Sequence, residues 1–234
     1  MHWSGNIDFG EAWVAFRGQH SDNRPHSHAA LQLVVVAQGY VTVASENDEE
    51  TSAPGIAIRS GVVHRLLPGE RCTLFLIEPQ SQLAAAILAR LAEGAISALP
   101  QDLTRELSSS ALLSDVVRQF RSHLGAPAQT IDPRLLAAVA WIASHDESGS
   151  VAIAASQSGL SPARLRALAT EQLGVPLAKL VLWHKVKAAS QSLLTGSSLS
   201  DAAAAAGFAD QAHLTRTMGS VLGITPATAK TILG

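Results

Sequence analysis

A chain of 234 residues, 47% hydrophobic and 15% charged, is long enough for two modest domains and too apolar for global disorder. One cysteine, Cys72, excludes an intrachain disulfide framework and a multi-cysteine zinc site, and no uninterrupted apolar run is long enough to span a bilayer. Net charge is only −2, but residues 1–130 carry 9 Lys and Arg against 13 Asp and Glu, whereas residues 131–234 carry 8 against 6; the asymmetry points toward the second half for a nucleic-acid surface, and charge alone does not decide it.

The opening Met1-His2-Trp3-Ser4-Gly5 lacks the basic flank and apolar run of a secretory signal. From about Ile7 to Glu78 the chain reads as short strands between turn signals. Leu31–Ala37 and Tyr40–Ala44 flank Gln38-Gly39, Ser45–Ser52 is a polar connection, and Ile56–Ile58 and Thr73–Ile77 are bounded by Pro54-Gly55 and Pro68-Gly69. That spacing predicts a barrel or sandwich. Side chains two apart on a strand share a face, so His26, His28 and Gln32 converge, and His64 follows from a later segment.

After Pro79 the period changes. Leu83, Ile87, Leu88 and Leu91, then Leu112, Leu113, Val116, Val117, Phe120 and Leu124, recur at helical spacing. These helices, at 81–127, either join two domains and supply a dimer seam or pack on the strands of their own chain. Residues 125–130 read as a linker, and Asp132-Pro133 opens an Ala- and Leu-rich helical region running to the C-terminus.

That region repeats itself. Aligning Ser161 with Asp210 places Leu165 on Leu214, Leu173 on Leu222 and Gly174 on Gly223. Each copy has a short helix (151–156 and 199–205), a turn glycine (Gly159, Gly207), an N-cap (Ser161, Asp210) and a terminating glycine. This is the pattern of a helix-turn-helix, at about 151–173 and 199–221. Between the copies Leu177–Thr195 reads as one helix carrying Lys179, Lys185 and Lys187. Such a rod spans roughly 28 Å, close to the roughly 34 Å between successive major-groove segments on one DNA face.

Gly207-Phe208-Ala209-Asp210-Gln211-Ala212-His213-Leu214-Thr215-Arg216, then Gly223-Ile224-Thr225-Pro226, resembles the C-terminal signature of the AraC/XylS family of bacterial transcription regulators. The resemblance covers roughly residues 131–234. It implies sequence-specific binding of double-stranded DNA in the bacterial cytoplasm, contact with RNA polymerase, activation of transcription, and base reading by Ala163, Arg164 and Arg166 in one helix and Gln211, Ala212, His213, Thr215 and Arg216 in the other. The pattern departs from the family at Met218-Gly219-Ser220, where an aromatic and basic residues are usual, and at Lys230, where an arginine is usual.

Residues 20–78 are similar to the cupin pattern, in which an HxH, an acidic residue and a distant His line a small barrel and hold a metal. Here Gln32 replaces the acid and Arg59 stands where Pro is common. Three imidazoles suit one divalent Zn, Ni, Cu, Fe or Mn ion. A metal-free effector pocket and a structural remnant are the alternatives, and His20 is a further candidate for the cluster. The expected fold is therefore α+β and multidomain: a cupin-like sensor barrel at 1–80, helices at 81–127, and an all-α DNA-binding domain at 128–234. The expected protein is a small-molecule- or metal-responsive regulator and not an enzyme. A cupin-type metalloenzyme with an appended helical domain and a regulator with decayed DNA binding are the competing readings.

Overall fold

The computed structural model describes residues 3–108, 112–123, 131–145 and 150–232. The predicted linker at 125–130 and the side chains of Phe120 and His123 lie outside what is described.

Among the described residues the N-terminal half has nine strands: β1 (Ser4–Phe9), β2 (Trp13–Gln19), β3 (Leu31–Val35), β4 (Val41–Ser45), β5 (Glu50–Ala53), β6 (Gly55–Ile58), β7 (His64–Leu66), β8 (Arg71–Ile77) and β9 (Ile96–Ala98). They do not close into one barrel. They form a six-stranded sheet, β1-β2-β8-β3-β6-β9, and a three-stranded sheet, β5-β4-β7. The reason is visible in the pairing. β4 leaves β3 after the Gly39 turn to pair with β5 and β7, while β3 itself pairs with β6 and β8.

All five residues of β3 are buried because both its faces are covered. Leu31, Leu33 and Val35 pack with Phe75 against helices α1 (Gln82–Leu88), α2 (Gln101–Leu107) and α3 (Leu113–His123). Val34 faces the other way, into an apolar layer with Val43, Ile56 and Leu66. Leu83, Ile87 and Val116 are therefore buried in their own chain, so the packing alternative holds for them and they are not free to form a dimer seam. Leu112 is the exception, at 72% exposure. The segment expected to be wholly helical also contributes β9, whose three residues extend the large sheet beside β6. Arg59 explains its unusual position: its guanidinium donates to the carbonyls of Ala92 and Gly94, tying β6 to the chain leading into β9.

The C-terminal half is helical: α4 (Pro133–Ser144), α5 (Ser150–Gln157), α6 (Pro162–Leu173), α7 (Leu177–Leu194), α8 (Leu199–Ala205), α9 (Gln211–Leu222) and α10 (Pro226–Thr231). The repeat is structural as well as textual. Ser161 and Asp210 each accept from the backbone N–H three residues on, at Arg164 and His213. Gly174 and Gly223 close the second helices with φ of 71° and 70°. In the turns, Gly159 and Gly207 have φ of 66° and 68°, and the residue after each donates its N–H to the carbonyl five positions back.

The two halves share a core. Ala29, Ala30 and Leu76 of the sheet domain belong to the same buried cluster as Leu165, Trp183 and Leu214, and Ile232 after α10 reaches the apolar layer between the sheets.

Candidate ligand cluster and DNA-reading surface

His26 and His64 face each other across a two-residue bridge, each donating its backbone N–H to the other's carbonyl at 3.0 Å. This pairing puts both rings on one side, with centroids 4.3 Å apart, and His28 lies within 5.7 Å of each. One ring nitrogen from each of the three comes within 4.8 Å of the others. Gln32, pointing inward from β3, brings Oε1 to 2.9 Å from His28 Nε2 and 3.2 Å from His64 Nε2. All four predicted residues are thus together. His20 is not with them: its Nε2 lies 3.1 Å from the Leu67 carbonyl and its ring packs on Trp3.

The second nitrogens settle what the cluster can do. Nδ1 of His26, His28 and His64 lies 2.9–3.0 Å from the carbonyls of Arg24, Ala30 and Val62. A carbonyl can only accept, so each Nδ1 carries the proton and each Nε2 is left as a bare lone pair. Burial keeps the rings neutral: it pulls His26 down to about 3, helped by His28, and lowers His28 and His64 as well. Bare Nε2 atoms facing the Gln32 carbonyl oxygen are lone pair against lone pair. A cation among them resolves the conflict, as does turning the Gln32 amide so that its NH2 donates to His28 and His64. The donor set fits a divalent transition metal. Cys72 does not belong to the group: only His26, His28 and His64 bring ligand atoms together among the described residues, and Cys72 lies buried in the apolar layer with Val43 and Leu66.

The loop that carries His26 also holds the second reading helix. Arg24 donates its N–H to the Gly223 carbonyl at 3.1 Å, and Ser27 donates to Ser220 at 3.3 Å. A Cβ on Gly223 would stand 2.7 Å from His26 Nδ1 and from the Arg24 carbonyl. The departure at Gly219-Ser220 falls in the same last turn of α9, where the Ser220 carbonyl accepts from Ser27, although a Cβ on Gly219 itself would meet open space. The other end of α9 is open. Gln211, Ala212, His213 and Arg216 are exposed and Thr215 is half-buried, its hydroxyl donating to the Gln211 carbonyl. In α6, Ala163, Arg164 and Arg166 are likewise exposed, with Arg164 3.5 Å from Glu171.

The helix between the copies is gripped by the sheet domain. Lys179, Trp183 and Lys187 stand four apart on one face of α7. Lys179 donates to Ser27 Oγ and the Gly61 carbonyl, Trp183 packs beside His28, and Lys187 meets Glu78 at 2.7 Å in a buried pair. Two of the three linker lysines therefore serve the domain interface, while Lys185 caps the turn carbonyl of Gly207. An apolar cavity, about 860 Å³ including space open to solvent, lies between α7, the end of α9 and the large sheet, with His26, His28 and Gln32 on its wall.

The helix-turn-helix domain family model matches residues 154–231, and the AraC-like ligand binding domain model matches residues 11–139. The chain belongs to the AraC family. It is a DNA-binding transcription regulator with an N-terminal ligand-binding domain. Among solved structures it is similar to ToxT from Vibrio cholerae O395, with a TM-score of 0.61 and 11% identity over 96% of this chain and 100% of that one. It is also similar to ToxT of strain SCE256 bound to an unsaturated fatty acid, at 0.60 and 12% over 97% of each chain. At such identities the likeness concerns the fold. A comparison with curated proteins gave no match. No described helix is long and apolar enough to cross a membrane.

Proposed function

We propose that this AraC-family regulator reads double-stranded DNA with Ala163, Arg164 and Arg166 of α6 and Gln211, Ala212, His213, Thr215 and Arg216 of α9, under the control of a ligand held in its sheet domain. The observation that carries this reading is the division of α9. Its N-terminal half is exposed at the positions that would face bases, while its C-terminal end is bonded to the loop bearing His26. A ligand at the histidines therefore acts on the reading helix through one short loop. Binding sites selected from random DNA test it. Arg216→Ala is expected to weaken the selected site by about 1–3 kcal/mol and relax preference at one base position. Unchanged specificity would remove Arg216 from the reading surface.

His26, His28, His64 and Gln32 would hold one divalent transition metal ion through their bare nitrogens and the amide oxygen. The ion would supply the positive charge that four converging lone pairs lack. Calorimetric titration of zinc into chelator-treated, tag-free protein is expected to show one ion per chain. His28→Ala should abolish that binding and Gln32→Glu, by adding a negative charge, should tighten it. A flat titration would assign the two donors to a turned Gln32 amide.

The cavity beside the histidines is the place for a small-molecule effector, in keeping with the fatty acid bound by the similarly folded ToxT. Such a regulator works in the bacterial cytoplasm and engages RNA polymerase as an activator. Pairing of two copies would use surface such as the exposed Leu112, and sedimentation of Leu112→Glu against the parent tests it.

A further inference from the structure

Two indole donors are buried without a hydrogen-bond partner, Trp3 Nε1 and Trp183 Nε1, and both residues line the cavity between the domains. They are 5% and 1% exposed, so water does not serve them from outside. Buried N–H groups are nearly always paired, and two unpaired ones on residues that line the same cavity point to an acceptor received between them. The two belong to different halves: Trp3 precedes β1, and Trp183 sits in the middle of α7 next to His28. Phe16, Leu76, Val186 and Ile224 make the intervening wall apolar.

Charge narrows the class. The single Lys or Arg among the described residues lining the cavity is Lys187, and its ammonium is already matched by Glu78 at 2.7 Å. A carboxylate placed there would have to compete with Glu78 for the Lys187 ammonium, with no second cation among the described lining residues. An oxygen that accepts without carrying charge meets two waiting donors.

We propose that the interdomain cavity receives an uncharged apolar molecule with hydrogen-bond-accepting oxygens, of the lactone, ester or ketone class, held by the indole N–H groups of Trp3 and Trp183. The assignment rests on the effector-gated reading above and gives that effector a chemistry. It also makes the molecule a bridge, since its two donors come from the two halves of the chain.

The test is calorimetry on the full, chelator-treated chain, so that no metal offers a carboxylate a route to the histidines. The probes are γ-decalactone and decanoic acid, with binding to a selected DNA site measured on the same samples. The lactone is expected to bind at least about tenfold more tightly than the acid. Trp3→Phe and Trp183→Phe, which remove one donor each and keep a ring, should each weaken the lactone about tenfold. Ser190→Trp, placed on the half-buried cavity wall of α7, should abolish lactone binding; thermal melts verify that each variant is folded. Equal or tighter binding of the acid overturns the proposal, as does no lactone binding or full affinity in both folded Trp→Phe variants. Retained DNA binding beside a failed lactone titration rejects the cavity assignment alone, whereas lost DNA binding beside a successful one rejects the regulator reading.

Discussion

Glu78→Ala is expected to lower stability by about 3–5 kcal/mol, because it strands a buried ammonium. Glu78, just past β8, and Lys187, on α7, have side chains only 6% and 12% exposed. Lys187 Nζ also lies 3.4 Å and 3.3 Å from the carbonyls of Gly10 and Glu11, and Gln80 donates to the second Glu78 oxygen at 2.7 Å. With the carboxylate gone, those two long carbonyl contacts are all that compensates the charge. His184, 3.9 Å from the same oxygen and with Nε2 unpartnered, loses its anionic neighbour as well. Urea unfolding measures the loss. The double variant Glu78→Leu, Lys187→Met should recover most of it, since the cost lies in the unpaired charge and not in the absence of the bond. If the single variant is as stable as the parent, the pair does not hold α7 to the sheet domain. Because α7 joins the two reading units, the single variant should also loosen their attachment to the sensor, seen as faster amide exchange along Trp183–Lys187.

What could be read from the sequence was what depends on neighbours in the chain. N-caps at Ser161 and Asp210, and glycines at Gly174 and Gly223, announce themselves because only a few residue types satisfy a helix end. Alternation along one strand predicts that His26, His28 and Gln32 converge; they do converge, but by another route, since β3 begins at Leu31, the chain bends at Ala29 and Ala30, and His26 is placed by its bridge to His64. The docking of the halves was not legible, since it joins residues as distant as Glu78 and Lys187. The signal was nevertheless present: Lys179, Trp183 and Lys187 recur every fourth residue, and a tryptophan between two lysines on one helix face marks burial more readily than a phosphate-binding edge. His20 was misplaced because it follows β2, whose end lies beside Trp3 and the Leu67 carbonyl and not beside the cluster. The strand Ile96–Ala98 is three residues long and takes its identity from pairing with β6, which no local pattern displays.

Acid should begin to destabilise this protein well above the range in which its carboxylates titrate. The imidazoles of His26, His28 and His64 are lowered from the ordinary 6.5, chiefly by burial, His26 to about 3. Lys179 adds to the lowering of His28, and the carbonyls of Arg24, Ala30 and Val62 oppose it in each ring without prevailing. The sign follows from proton counting. Below pH 6.5 the unfolded chain takes up protons that the folded chain refuses, so stability is complete above that value and is lost as pH falls toward the folded pKa. One such histidine accounts for up to about 1.4 kcal/mol per pH unit, and three together for up to about 4. Against a typical total of about 5–15 kcal/mol, unfolding is expected between about one and four pH units below 6.5. Asp102, Asp132 and Asp210 are held below their ordinary 3.8, so they contribute only below that value, in the acid end of the histidine window. Urea midpoints at pH 7.5, 6 and 5 are the measurement. His20 and His184 are lowered by burial too, so His64→Gln should flatten the slope by up to about 1.4 kcal/mol per pH unit and not abolish it, and a curve level from neutrality down to pH 5 would mean the rings accept protons in the folded state. Saturating zinc should raise stability by a similar amount at pH 7.5, 6 and 5, because the folded rings hold no protons in that range for the ion to displace.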